Sequence, residues 1–214
     1  MAAYVGDVQI ADTRVQAVYD EVHNAPAAGG SGAAQVSRAD VVAALVGAEL
    51  LPEVAKQHGV SLPAELPVES YASALGLPAN AEYTRLYVQA SMYANQLLQK
   101  VTGGPAPTDA DLREVYDALI KASGGSSGAT TFEQFKGSLN DNSKQAVQAA
   151  VGVRNEIDNA AAKADLRINP RFQPAALPLL QTQLQNGEVV VLMTAPLAPD
   201  DKAPVSPAPV NAAP

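Results

Sequence analysis

DLRINPRF, residues 165–172, decides the fold because it interrupts a chain that otherwise reads mainly as helices. Leu166 and Ile168 alternate with the charged Arg167, and this period of two is typical of a β-strand. Pro170 cannot donate to a strand ladder and favours extended geometry in the residue before it, so it marks the end of the strand. The stretch therefore predicts a short strand late in the chain.

The two arginines of this stretch, Arg167 and Arg171, leave other interpretations open. Together they could hold a carboxylate or phosphate through charge-assisted hydrogen bonds, or belong to a reactive loop. On a strand, however, residues 167, 169 and 171 share one face, and that face is equally compatible with solvent. We favour the structural interpretation, in which Leu166 and Ile168 pack inward and the arginines point outward.

The N-terminal residues predict a second region of strand. In MAAYVGDVQI (1–10), apolar residues flank Gly6-Asp7, a pair typical of a tight hairpin turn. A short helix is predicted to follow, capped by Asp12 or Thr13 and ending near Val22.

The middle of the chain predicts helices with recognisable start signals. Ser37 with Asp40, and Thr108 with Asp111, have the form of a capping box. The apolar periodicity predicts helices over 38–58, about 68–75, 81–101, 108–120 and 130–164, the last with a break allowed near 140–143.

The residues after Phe172 are interpreted as a connector, a strand and a tail. A proline-containing connector leads to EVVVLMT (188–194), a second strand candidate. The Pro/Ala-rich segment 196–214 is expected to be a disordered tail or stiff spacer, with PxxP spacings that reflect composition. We therefore predict one domain over 1–195 and a tail over 196–214.

Composition limits the classes of function. The chain has 214 residues, 47% of them hydrophobic, which is enough for a core. Its net charge of -8 argues against a nucleic-acid partner, and the lack of cysteine excludes disulfides and thiolate metal sites. No apolar run approaches the roughly 20 residues of a membrane helix. The first residues lack signal-peptide features, which predicts either a cytoplasmic protein or a mature domain whose signal has been removed.

No constellation of residues predicts catalysis. His23 and His58 lie near predicted helix ends, where a histidine interacts favourably with the helix dipole. Neither paired carboxylates, metal-ligand spacing nor a phosphate-binding glycine loop is recognisable. We therefore expect a protein that is not an enzyme and has no cofactor and no metal.

Apolar side chains on the predicted 81–101 helix are the best candidates for binding. Val88 and Met92 point away from its main apolar stripe, Tyr93 lies at the edge of that stripe, and Tyr71 and Tyr87 are near in sequence. These five residues either pack against another helix, which we favour, or form an apolar peptide-binding surface.

The order of these elements resembles that of the SurA-like and PrsA-like extracytoplasmic chaperones, whose peptide-binding module is related to that of trigger factor. The resemblance covers about residues 3–173 and is carried by AAYVGDVQIADTRV, SRADVVAALVGAELLPEVAKQHGVSL, PTDADLREVYDAL, TTFEQFKGSL and DLRINPRF. It implies a mainly α fold, a helical cradle with a small sheet in which the returning strand pairs with the N-terminal hairpin.

The resemblance also implies a function and a location. Such chaperones hold unfolded or extended polypeptides of secreted and envelope proteins without ATP, through apolar cradle surfaces, in the bacterial cell envelope and often with a lipid anchor. This sequence departs from the pattern at Gln173, where glycine is common, and has no inserted parvulin domain, so prolyl isomerase activity is not expected. The alternative function is that of an envelope lipoprotein adaptor that holds one protein partner.

Overall fold

A computed structural model of the chain describes residues 1–25, 36–101, 104–124, 130–184 and 189–197. The fold is mainly α-helical, with small antiparallel sheets. The described elements are β1 (Ala3–Val5), β2 (Val8–Ile10), α1 (Asp12–Asn24), α2 (Arg38–Gln57), α3 (Val68–Leu75), α4 (Glu82–Lys100), α5 (Asp109–Ala122), α6 (Phe132–Ser138), α7 (Asp141–Lys163), β3 (Arg167–Ile168), a 3₁₀ turn (Pro170–Phe172), β4 (Ala176–Gln183) and β5 (Val189–Pro196).

The returning strand pairs with the N-terminal hairpin, as predicted. Strand β1 lies between β2 and β3, and Ala3 stands opposite both Ile10 and Ile168. Beyond the ladder, the Asn169 N–H donates to the Ala2 carbonyl at 2.8 Å. Leu166 and Ile168 are buried and Arg167 is exposed, so the predicted inward and outward faces of DLRINPRF are confirmed.

Most predicted helix starts are also confirmed. The Ser37 and Thr108 side chains each accept from the backbone N–H three residues on. The Asp40 and Asp111 carboxylates accept in turn from the backbone N–H of Ser37 and Thr108, which completes both capping boxes. The predicted cap of α1 was wrong, because Ala11 occupies that position and makes no side-chain bond.

The break allowed in the 130–164 helix is present and divides it into α6 and α7. Leu139 ends α6 with an extended backbone, and Asn140 caps α7 by accepting from the Ser143 N–H at 2.8 Å. Asn and Ser compete for backbone hydrogen bonds, which explains why the helix restarts here.

The connector after Phe172 is the main error of the sequence interpretation. Residues 176–183 form β4, which pairs antiparallel with β5. Pro178 has no N–H to donate to Thr194, which stands opposite it, and the Thr194 carbonyl accepts instead from Arg154 Nε at 2.8 Å, while the Thr194 N–H donates to the Glu114 carboxylate at 2.8 Å. A two-stranded ribbon also consists of edge strands only, where proline is found.

The β4–β5 hairpin lies against the helices and completes their core. It packs on α2, α4, α5 and α7. Leu177, Leu179 and Leu197 join the larger core cluster around α2, and Met193 joins a smaller one between α5, α6 and α7. The hairpin therefore covers apolar side chains of these four helices.

Leu197 also places the end of the described domain beyond the predicted boundary at 195. Its side chain is buried, and its N–H donates to the Ala175 carbonyl at 2.9 Å. The predicted tail, apart from Pro196 and Leu197, lies outside the described residues.

The contact between the hairpin and α2 depends on a glycine. A Cβ at Gly47 would lie 2.7 Å from Leu177 Cδ2, closer than packed atoms approach. We expect Gly47→Ala to lower the free energy of unfolding by about 1 kcal/mol, because the clash outweighs the gain in helix propensity. In a Leu177→Ala background the same change should stabilise the protein, since the methyl group then fills vacated space. Urea unfolding of the four proteins checks this, and an equal effect of Gly47→Ala in both backgrounds would contradict the contact.

Candidate functional site

A cavity of about 390 Å³ lies where the β4–β5 hairpin meets α2 and α4. Its volume is near the lower end of the range for ligand pockets. Three elements line it: α2 through Asp40, Ala43 and Ala44, α4 through Tyr83, Tyr87 and Ala90, and the hairpin region through Pro174, Ala176, Leu177, Pro178, Val191 and Thr194.

The helix spacing explains why these side chains meet. Tyr83, Tyr87 and Ala90 follow one another at four and three residues, so they share a face of α4. The two phenol rings lie 6.1 Å apart between centroids and tilt by 41°. On α2, Ala43 and Ala44 are small, which leaves the space that the cavity occupies.

Both phenols of the cavity are neutral donors at physiological pH. Burial raises the pKa of Tyr83, and the nearby charge of Asp40 raises it further. Burial also raises the pKa of Tyr87, although the nearby Ser91 hydroxyl and the hydrogen bond from Gln181 oppose that shift. The Gln181 amide of β4 donates to the Tyr87 oxygen at 3.2 Å and so ties the hairpin to α4.

Asp40 is the one charged residue among the described residues that line the cavity. Its Oδ2 accepts from the Ser37 N–H at 2.8 Å and from the Ser37 hydroxyl at 2.7 Å, within the capping box. The side chain is exposed, and no cation pairs with it in the described part of the chain. The nearest arginine in sequence, Arg38, instead stacks on Tyr19, with Cζ 4.2 Å from the ring centroid.

The structure does not place the five predicted binding residues on one surface. Tyr87 alone lines the cavity. Tyr71 of α3 is not one of its lining residues, and the Tyr71 hydroxyl accepts from Asn95 Nδ2 at 3.5 Å. Met92 is half-buried.

Two more of the five residues have packing contacts. Val88 is 0% exposed, and α3 packs against its helix. Tyr93 is half-buried against the larger core cluster. These side chains contribute to packing, which is the interpretation that the sequence analysis favoured.

Sequence reasoning missed the other residues of the cavity. Tyr83 lies within the predicted 81–101 helix, but it was not among the residues named as candidates for binding. Asp40 was read only as a cap. The contribution of Pro174 and Pro178 depends on the hairpin, which the sequence did not predict, so no local signal could have found it.

The arginines of DLRINPRF have carboxylate partners within the chain. Arg167 pairs with Asp165 and Arg171 with Asp12. Asp12 also accepts from the N-terminal ammonium of Met1 at 3.0 Å, and the bond to Arg171 is the first cause that lowers its pKa. The anion-site interpretation is therefore not supported, since both guanidinium groups are already engaged.

A second arginine network, which the sequence analysis did not single out, fastens the hairpin to the helices. Arg154 of α7 donates to the Thr194 carbonyl at 2.8 Å, to Asp111 Oδ1 at 3.0 Å and to Glu114 Oε2 at 2.5 Å. Glu114 Oε1 in turn accepts from the Thr194 N–H. The network joins α5, α7 and β5, and its Thr194 also lines the cavity.

The histidines lie at helix ends, as predicted. His23 is in the last turn of α1, with Nδ1 2.8 Å from the Tyr19 carbonyl, and His58 is the C-cap of α2, 3.7 Å from Glu156. Among the described residues, no group of three or more histidine and acidic side chains is arranged to hold a metal ion.

Large apolar side chains are little exposed. Within the described ranges, Met1 at 38% and Val8 at 42% are the exposed ones. Every helix in that part of the chain is too short or too polar to cross a membrane.

Comparison of the chain with protein-family models, curated protein sequences and solved structures gives no significant match. The resemblance to SurA-like and PrsA-like chaperones therefore stays a prediction.

Proposed function

We propose that this protein binds extended segments of other polypeptides, as an ATP-independent and non-enzymatic chaperone of the holding type. The observation that carries the proposal is the cavity between α2, α4 and the β4–β5 hairpin. Its walls are mostly apolar, and a few polar groups converge on it, as in typical ligand sites. The order of elements, which resembles that of extracytoplasmic chaperones, agrees with this function.

The size of the cavity suggests how a client would be held. A volume of about 390 Å³ accommodates a few side chains and not a long segment. Tyr83 and Tyr87 supply aromatic surface and hydroxyl donors at little cost in conformational entropy. Binding would therefore be local and reversible, which suits a protein that holds and releases clients.

The proposed clients are unfolded secreted or envelope proteins, which places the protein outside the cytoplasm. A lipid anchor would hold it at the membrane. Both points rest on the resemblance alone. A precursor that starts with basic residues and an apolar stretch followed by a cysteine would support them, whereas a leaderless precursor would contradict them.

A specific observation favours a second candidate, an envelope adaptor that holds one partner. A general holding chaperone needs contiguous apolar surface, yet Met1 and Val8 are the exposed large apolar residues of the described chain. Affinity capture from envelope extract separates the two functions. One stoichiometric partner favours the adaptor, and many unfolded clients favour the chaperone.

An aggregation assay tests the first function. Equimolar protein should delay the aggregation of reduced, unfolded α-lactalbumin, and Tyr87→Leu should reduce the delay because it removes an aromatic wall and a hydroxyl from the cavity. Tyr93→Leu is the matched control, since it makes the same change on the same helix away from the cavity lining. Thermal unfolding of both variants verifies that they fold. No delay, together with no binding of the unfolded client, would exclude the chaperone function.

A further inference from the structure

The cavity combines tyrosine rings with proline rings at its border. Tyr83 and Tyr87 line it from α4, and Pro174 and Pro178 line it from the hairpin region. Aromatic-lined grooves recognise extended proline-containing segments, because such segments are already ordered and lose little entropy on binding. The carbonyl groups of a polyproline II helix make no internal hydrogen bonds, so neutral phenol groups suit them as donors.

The negative charge beside the cavity favours ligands that carry a basic group. Asp40 is the one charged residue of the described lining, and its Oδ1 is not used in the capping bonds to Ser37. Its charge acts on the phenols of both Tyr83 and Tyr87, so it lies beside the same space. The chain as a whole carries a net charge of -8, which attracts cationic partners over a longer range.

We propose that this cavity selects extended polypeptide segments in which a proline stands next to a lysine or arginine. The proline packs against Tyr83 and Tyr87, and the basic side chain reaches Asp40. This inference rests on the proposed function and narrows its clients to basic, proline-containing segments.

The chain's own C-terminal residues are a less suitable occupant. Residues 198–214 are rich in proline, but their charged residues are Asp200, Asp201 and Lys202, with a net negative charge that Asp40 would repel. A basic segment from another protein has the complementary charge. The two occupants are distinguished below with a protein that ends at Leu197.

The test uses three labelled nonapeptides and fluorescence anisotropy. The first repeats Lys-Pro-Leu three times, the second has glutamate in place of each lysine, and the third has alanine in place of each proline. We expect the Lys-Pro-Leu peptide to bind most tightly. Its affinity should fall with added salt, because one of its contacts is an ion pair. Equal binding of all three would overturn the inference.

Two pairs of variants locate the contact. Asp40→Asn keeps an oxygen that can cap the N-terminus of α2. It should weaken binding of the lysine peptide roughly fivefold, as for a partly exposed ion pair. Glu49→Gln makes the same charge change on the exposed side of α2 and should leave its affinity unchanged. Tyr87→Leu should weaken it about tenfold, more than Tyr93→Leu, through lost aromatic contact. Equal effects within either pair would contradict the assignment.

Two further outcomes separate this inference from the proposed function. In the first outcome, unfolded α-lactalbumin binds, Tyr87→Leu abolishes that binding, and the three peptides bind with equal affinity. The proposed function then stands and the inference fails. If the lysine-proline peptide binds as expected but no unfolded client does, the selectivity stands and the chaperone function fails. A protein ending at Leu197 that binds the lysine peptide several-fold more tightly would show that the C-terminal residues occupy the cavity, and would overturn the choice of a basic partner.

Discussion

Ile168→Asp is expected to remove most of the folding stability of this protein. Ile168 is 5% exposed and belongs to the larger core cluster. In the sheet it stands opposite Ala3 of β1. A carboxylate at this position would lie among apolar side chains without a cation, at a cost on the order of 4 kcal/mol. Loss of β3 would also release the N-terminal hairpin, since β1 is the strand to which both β2 and β3 pair.

Arg171→Ala is the matched control in the same stretch. Its ion pair with Asp12 is exposed, so its removal should change the free energy of unfolding by less than about 1 kcal/mol. Urea unfolding followed by circular dichroism measures both variants. A small effect of Ile168→Asp with a large effect of Arg171→Ala would contradict the structural role of the stretch and restore the anion site.

Arg154→Ala is expected to be the second most damaging change, with a loss of about 2–3 kcal/mol. The side chain is 17% exposed and is held by two carboxylates and the Thr194 carbonyl. Its removal leaves the carboxylates of Asp111 and Glu114, three residues apart on α5, without their cation. Lys163→Ala, an exposed change on the same helix, should cost less than about 0.5 kcal/mol.

The pH dependence of stability gives an independent check on the Arg154 network. Burial alone would raise the pKa of Asp111, but the bonds from Thr108 and the charge of Arg154 outweigh it and lower the pKa. Because the folded pKa lies below the unfolded one, this contribution is present at neutral pH and is lost as the pH falls through the folded pKa. Denaturant midpoints from pH 7 to pH 3 should fall less steeply in Arg154→Ala than in the unchanged protein, and identical slopes would contradict the network.

The sequence predicted the local elements well where one physical signal dominated. The alternation of Leu166 and Ile168, followed by a proline, predicted β3 because each residue of a strand with one buried face must obey the period of two. The capping residues Ser37 and Thr108 located two helix starts, since a helix N-terminus needs oxygen acceptors for its free N–H groups. The pairing of β3 with β1 came from the resemblance and not from these patterns.

Strand β5 matches the predicted strand 188–194, but β4 and its pairing with β5 could not be predicted because the stability of that pair comes from distant partners. Pro178 locally disfavours a strand because it has no N–H, and here the Thr194 carbonyl opposite it accepts from Arg154 while the Thr194 N–H donates to Glu114. Partners that lie 80 residues apart leave no short-range pattern. The cavity could not be predicted for the same reason, since half of its lining residues belong to the hairpin region.

The burial of Val88 could not be decided from the sequence for a different reason. An apolar residue on the second face of an amphipathic helix indicates either a binding surface or another packed neighbour. The short helix α3 packs against α4, and Val88 of α4 is fully buried. Tertiary packing therefore decided what the periodicity left open.

An NMR titration tests the central claim that the cavity between α2, α4 and the hairpin binds extended polypeptide. Backbone amide shifts of the ¹⁵N-labelled protein would be followed during addition of the unlabelled lysine-proline-leucine nonapeptide. We expect saturable shifts at Ala43, Ala44, Tyr87, Ala90 and Leu177, with smaller changes at the exposed Val8 of β2. Saturable shifts centred on β2, or no saturable shifts at the lining residues, would contradict it.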